Sequence, residues 1–147
     1  MYQHILVATD GSELSQKAVS SALALAAKLG ASITAVKVVP PYPQSYFDGA
    51  MALDMQEVAR TEETWTAAAM KELHAVQATG QAQGVTVHPV VVRSDQVSEA
   101  LISAAQKHNC DLIVMASHGR RGMTRLLLGS ETQHVLTHSH IPVLVLR

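Results

Sequence analysis

Apolar positions along the chain fall into short, nearly continuous runs separated by longer stretches in which they recur every third or fourth residue. The runs His4 to Thr9, Ala31 to Val39, Val85 to Val92, Leu112 to Ala116 and Ile141 to Leu146 are apolar at successive positions rather than at alternate ones. That is the signature of strands covered on both faces, which favours a parallel sheet. Between the first two runs, Ala18, Ala22, Leu25 and Leu29 trace a helical stripe that Gly30 ends, with Ser12 or Ser15 placed to cap its start. A long helix is predicted from about Asp54 to Gln81, with Val58, Trp65, Ala69, Leu73 and Val76 near one face and Gly80 and Gly84 at its fraying end. A third helix follows Ser94 or Asp95 as cap, with Val97, Leu101, Ala104 and Ala105 inward. A fourth runs from Ser130 to about Thr137, with Val135 and Leu136 buried.

Five strands alternating with four helices imply an α/β fold, an open parallel sheet with helices on both faces. Pro89 inside the third run suits an edge strand, where a missing N–H is tolerated. Pro40 and Pro41 end the second strand. The segment that follows, with Tyr42, Tyr46 and Phe47, reads as a surface flap that either hangs over a ligand site or packs at an interface.

The chemistry gathers in one stretch. After Asp111 the fourth strand runs out into Ser117-His118-Gly119-Arg120-Arg121-Gly122, and Leu126-Leu127-Leu128 leads to Gly129-Ser130 at a helix start. A glycine loop that feeds a helix N-terminus presents backbone N–H groups to an anion. The spacing matches neither the dinucleotide fingerprint nor the P-loop. Two readings stay open on the residues alone: Gly119 and Gly122 only make turns and Ser130 only caps, or Gly119, Gly129 and Ser130 hold an oxygen-rich ligand.

Three motifs in order carry a resemblance across essentially the whole chain. The loop reads Ala116-x-x-Gly119, nine residues, then Gly129-Ser130; the opening from His4 to Ala18 is HILVATDGSELSQKA and the ending from His134 to Arg147 is HVLTHSHIPVLVLR. Together they resemble the universal stress protein family, in which Gly-x-x-Gly, nine residues and Gly-Ser/Thr wrap the phosphates and ribose of ATP. The resemblance implies a Rossmann-like sheet of strand order 3-2-1-4-5 and a cytoplasmic regulatory module that binds an adenine nucleotide. It implies ATP as ligand, with Mg²⁺ bridging the phosphates where a metal is used, and little or no hydrolysis. By position, Asp10 would contact the nucleoside, the backbone of Val38 the adenine, and Ala116, His118, Gly119, Arg120, Gly129 and Ser130 the ribose and phosphates. Arg121 and Arg125 are either further ligands or a solvated rim. Two departures bear on binding: Ala116 stands where nucleotide-binding members have their first glycine, and Arg93 and Asp95 stand where members commonly have a glycine and a proline. The alternative is therefore a member that binds no nucleotide and acts only through an unidentified protein partner.

The resemblance also implies a homodimer through the last strand, Ile141 to Arg147, and an apolar edge strand is a physical reason for one.

Composition trims the possibilities. At 147 residues the chain is the size of a single domain, residues 1–147, with 48% hydrophobic and 16% charged residues and a formal net charge of -1. There is no basic surplus to hold nucleic acid or an anionic membrane, and at 3% aromatics no set of base-stacking rings. No apolar run reaches membrane-spanning length. The one cysteine, Cys110, argues against a disulfide framework and suits a reduced, partly buried thiol. His134, His138 and His140 lack the glutamate of a zinc-protease helix, so a structural or surface role is expected. Ser117, His118 and Asp10 make a triad on paper, yet no nucleophile elbow is present and neighbours on an extended segment tend to point apart.

Overall fold

The computed structural model describes residues 1–43, 54–119 and 128–147. In chain order the elements are β1 (His4–Ala8), α1 (Glu13–Leu29), β2 (Ser32–Val39), α2 (Met55–Ala82), β3 (Val87–Arg93), α3 (Val97–Lys107), β4 (Leu112–Ala116), α4 (Ser130–His138) and β5 (Val143–Leu146). The strands form one sheet of order β3-β2-β1-β4-β5, every adjacent pair parallel. Pro89 does sit on an edge strand, β3, as its lack of an N–H requires.

Strand alternation divides the sheet into two faces. Ile5, Val7, Ile33, Ala35, Leu112 and Val114 pack under α1 and α2, which contribute Ala22, Leu23 and Leu73. Leu6, Val36, Ile113 and Met115 face the other way, under Leu101, Ala104 and Ala105 of α3 and Val135 of α4. The helices after β1 and β2 thus lie on one face, and those after β3 and β4 on the other. Because β1 and β4 are neighbours, the chain leaves their carboxyl ends in opposite directions and opens a crevice between them.

Local signals set most boundaries. Ser12 caps α1, its side chain accepting the N–H of Ser15, and Gly30 closes the helix in the left-handed conformation at φ 69°. Asp54 caps α2 by accepting from the N–H of Gln56. Several expectations are corrected by packing. The buried face of α1 runs through Val19, Leu23 and Ala26 as well as Ala18 and Ala22, and Leu29, in the last turn beyond the sheet, is 40% exposed. Successive helical residues point about 100° apart, so of Val135 and Leu136 only the first reaches the core; Leu136 is 42% exposed. Neither Ser94 nor Asp95 caps α3, whose N-cap position is Gln96 without a side-chain bond.

Gly80 is a further correction. It is not at a fraying end but buried inside α2, where a Cβ would lie 2.5 Å from Val87 Cγ2 and 3.3 Å from Leu23 Cδ2. The absent side chain lets α2 settle on the start of β3. Gly80→Ala gains about 1 kcal/mol of helix propensity against an overpacking cost of roughly 1–3 kcal/mol. The variant is expected to be less stable by about 1 kcal/mol in urea denaturation; an unchanged or raised midpoint would show that β3 yields freely.

Candidate functional site

The crevice at the carboxyl ends of β1 and β4 holds a cavity of about 220 Å³. Its apolar lining comes from Val36, Val38, Leu101 and Met115, the same face of the sheet that α3 covers. Its polar lining includes Asp10, His118, Glu131 and Thr132, with Gly119 beside them.

The loop after β1 is held by its own short side chains. Asp10 Oδ1 accepts the N–H of Ser12 at 2.9 Å, and the buried Ser15 hydroxyl donates to the Ser12 carbonyl at 2.9 Å. Gly11 takes a φ of 82°, which lets the chain turn there. Asp10 is therefore a turn-forming aspartate through one oxygen, while the other faces the loop after β4. A Cβ on Gly119 would stand 2.7 Å from Asp10 Oδ2. Glycine at 119 is what allows the two loops to approach across the switch point.

Val38 contributes through its backbone. The even-numbered residues of β2 turn their N–H and C=O groups toward β1: Ser32 N donates to the Gln3 carbonyl at 2.9 Å, and Val36 O accepts from Thr9 N at 3.0 Å. The paired register of β1 ends with Ala8 opposite Val36, so the polar edge of Val38 points past the end of β1 into the crevice.

The two departures from the expected motif lie at different places around this cavity. Ala116 ends β4 within the strand, and among the described residues the non-glycine with positive φ is Asn109. Alternation puts the Ala116 methyl on the side of Leu112 and Val114, and its register partner Leu146 packs on that same α1-side cluster. Most of the cavity wall lies on the opposite side, and Ala116 borders the cavity at the end of β4. Arg93 is turned to α2, with Nε 3.4 Å from Glu62 Oε2 and a terminal nitrogen donating to Thr66 Oγ1 at 3.3 Å.

The start of α4 is where sequence reasoning was incomplete. Gly129 occupies the N-cap position, without a side-chain cap, and Ser130 is the first helical residue. The Gly129 N–H donates to the Ser117 carbonyl at 2.8 Å, and a Cβ there would meet His118 Cα at 3.2 Å, so Gly129 serves a close backbone approach. The next two residues tie the helix down. Glu131 Oε2 accepts the N–H of Ser98 at 2.8 Å, supplying α3 with the cap that Gln96 lacks. Buried Thr132 donates to the Ala116 carbonyl at 2.9 Å. An acid in a first helical turn reads locally as a macrodipole complement. Its partner is 33 residues away and leaves no local trace.

The catalytic readings gain little. Ser117 Oγ and His118 Nδ1 lie 3.1 Å apart, so these neighbours do meet, contrary to expectation; Ser117 is nevertheless buried and lines no part of the cavity. Burial pushes the Cys110 thiol above its ordinary pKa, away from reactive thiolate. Among the described residues no group of three or more His, Cys, Asp or Glu is placed to hold a metal. The rings of His134 and His138 stack at 3.9 Å, and His138 Nδ1 bonds to the His134 carbonyl at 3.0 Å. One oxygen each of Asp10 and Glu131 accepts a backbone N–H. Arg120, Arg121 and Arg125 lie outside the described residues, as do Tyr46 and Phe47 of the expected flap. Tyr42, at its near end, stacks on Trp65 of α2 with ring centroids 6.3 Å apart.

Comparison with known proteins bears on the same assignment. The model of the universal stress protein family matches residues 1–147. A universal stress protein of Methanocaldococcus jannaschii is 31% identical over the whole chain and 83% of its own length. The chain is also similar to the structure of UspA from Lactobacillus plantarum, at a TM-score of 0.85 and 23% identity, covering 99% of this chain and 98% of that one. A universal stress protein solved in complex with cAMP matches at a TM-score of 0.65 and 25% identity, over 99% of this chain and 97% of its own. With a family match along its full length and the sheet order that goes with it, the chain belongs to the universal stress protein family.

Proposed function

We propose that the protein is a single-domain regulatory module that binds an adenine nucleotide, ATP by preference, in the switch-point cavity. The observation that carries this reading is the polar edge of Val38 beside an apolar pocket, with Asp10 and Gly119 closing its mouth. An adenine ring suits the apolar floor and the backbone donor and acceptor of Val38, and a ribose hydroxyl suits the Asp10 carboxylate. The phosphates then run toward His118, Gly119 and the start of α4, where Gly129 brings the backbone close and Ser130 adds a hydroxyl to the helix N-terminus. Magnesium enters with the phosphates. That a relative is held with cAMP supports the ligand class.

The reading without nucleotide rested on Ala116 and Arg93. The Ala116 methyl falls on the α1 side by alternation and the Arg93 guanidinium is drawn to Glu62, which favours the nucleotide reading over that alternative. Turnover is expected to be slow or absent, since the sequence carries no recognisable phosphoryl-transfer signature. We further propose that the protein acts as a homodimer through residues 141–147, alone or with a protein partner. Leu144 on the edge strand β5 is 43% exposed, an apolar side chain beside an unpaired strand edge. No helix among the described residues is long and apolar enough to cross a membrane.

Isothermal titration of nucleotide-free protein with Mg-ATP, AMP and GTP tests the ligand. Saturable binding of ATP and not GTP is expected, and no heat with any of them from folded protein would overturn the assignment. Gly119→Val drives a branched side chain against Asp10 and should weaken ATP binding at least about tenfold, or ~1.4 kcal/mol. Glu131→Gln keeps an acceptor for Ser98 but removes a negative charge beside the phosphate path. It should tighten ATP several-fold and leave adenosine unchanged; equal affinities would place the phosphates elsewhere. For assembly, Leu144→Asp should shift the protein from dimer to monomer on size-exclusion chromatography with its circular dichroism intact. A persistent dimer would move the interface off β5.

A further inference from the structure

The amino end of the sheet carries a second polar constellation that the nucleotide reading does not use. Register places His4 beside Ser32 and Thr34 beside His88. Ser32 and Thr34 are two residues apart on β2, and Thr34 also pairs with Leu6, which packs on the α3 side. All four side chains therefore share the face that, further along the same strands, holds Leu6, Val36, Val90 and Val92 under α3. A doubly covered sheet normally keeps that face apolar. Here α3 ends at Lys107 and the chain turns through His108 and Asn109, the latter at φ 54°, leaving a depression of about 390 Å³ between this turn and the four strand residues.

The lining has a one-sided chemistry. It holds one lysine, three imidazoles, two hydroxyls and one carboxamide, and no carboxylate. Every one of these groups can donate a hydrogen bond, although the buried Thr34 hydroxyl is already bonded to the Cys110 thiol and the Ser32 hydroxyl to His4. Asp111, at the start of β4, spends its two oxygens on the backbone N–H groups of Gln3 and His4 at 2.8 and 3.1 Å. Cys110 is buried, with its thiol pKa pushed up by desolvation. His4 Nδ1 is bonded to Ser32 Oγ at 2.8 Å, which leaves Nε2 for another partner. The imidazoles do not converge on a cation, since no trio of ligating groups among the described residues is placed to hold one. The chain as a whole carries a formal charge of -1, so this is a local concentration of donors rather than part of a basic surface.

We propose that the amino-end depression binds a compact oxyanion of the phosphate or sulfate class, with Lys107 as its countercharge and His4, His88 and His108 as hydrogen-bond donors. Imidazole is the side chain that gains charge between about pH 5 and pH 8. The site lies at the opposite end of the strands from the switch point, and its test is independent of the nucleotide reading.

Sulfate is the suitable probe because its charge does not change over this range. Imidazole resonances of the full chain, followed by NMR during sulfate titration at about pH 5.5 and about pH 7.5 at constant ionic strength, should show saturable shifts at His4, His88 and His108. The dissociation constant is read at both pH values, while His134 and His138 serve as unmoved controls. The pair Lys107→Ala and His88→Gln, both exposed positions, should weaken binding at least about tenfold without loss of fold. A parallel arm with glycerol phosphate distinguishes a free anion from a phosphate ester, and saturable binding of either upholds the oxyanion site. Shifts that are uniform over the histidines and never saturate, or a variant that titrates like the parent, overturn it.

Discussion

The pairing of β1 with β4 is the constraint on which the rest of the molecule depends. Ile5, Leu6 and Val7 lie opposite Leu112, Ile113 and Val114, and five of these six residues are fully buried, Leu112 nearly so. At the amino end the Asp111 carboxylate clamps the first two backbone N–H groups of this seam. At the carboxyl end the two strands send their chains to opposite faces. A crevice follows from that divergence without any side chain having to create it, and the cavity is floored by whatever those strands present on the α3 side.

Around the crevice the polar residues are mostly engaged in holding its walls. Asp10 uses one oxygen to build its own turn. Glu131 and Thr132, adjacent in sequence, reach different elements, one the N-terminus of α3 and the other the last carbonyl of β4. Whatever displaces the first turn of α4 therefore acts on α3 and β4 together. The same helix packs Val135 into the α3-side cluster, to which Val143 of β5 is apposed. The cavity and the sheet edge are thus connected through one short helix by packed side chains and two hydrogen bonds.

How far the fold was legible depended on whether the signal was local. Continuous apolar runs, Gly30, Asp54 and Ser12 mark element ends because caps and turns act over a few residues. Strand order was available only through family resemblance, since pairing across the chain leaves no period in the sequence. Which residues of α1 and α4 are buried depended on where each helix sits over the sheet, so Leu29 and Leu136 were misplaced while Ala18, Ala22 and Val135 were not. In the site, Asp10, Val38, Ala116, His118 and Gly119 do come together at one cavity. The roles of Glu131 and Thr132 were hidden, because each depends on a neighbour from another element. The side to which the Ala116 methyl points was decided by sheet alternation and by Leu146, residues remote from the motif that made it a question.

The central place of β1 also bears on how the chain comes to fold. His4 and Asp111 are 107 positions apart, yet their bond and the seam above it form the middle of the sheet. As the chain is synthesised, β1 can pair with β2 through a local crossover, but its other edge stays open and apolar until β4 has emerged. Loop closure over such a separation must precede the contacts that reward it, which slows folding and lengthens exposure of an unpaired strand. The strand that anchors the finished sheet is thus, during synthesis, the one whose second edge waits longest for its partner.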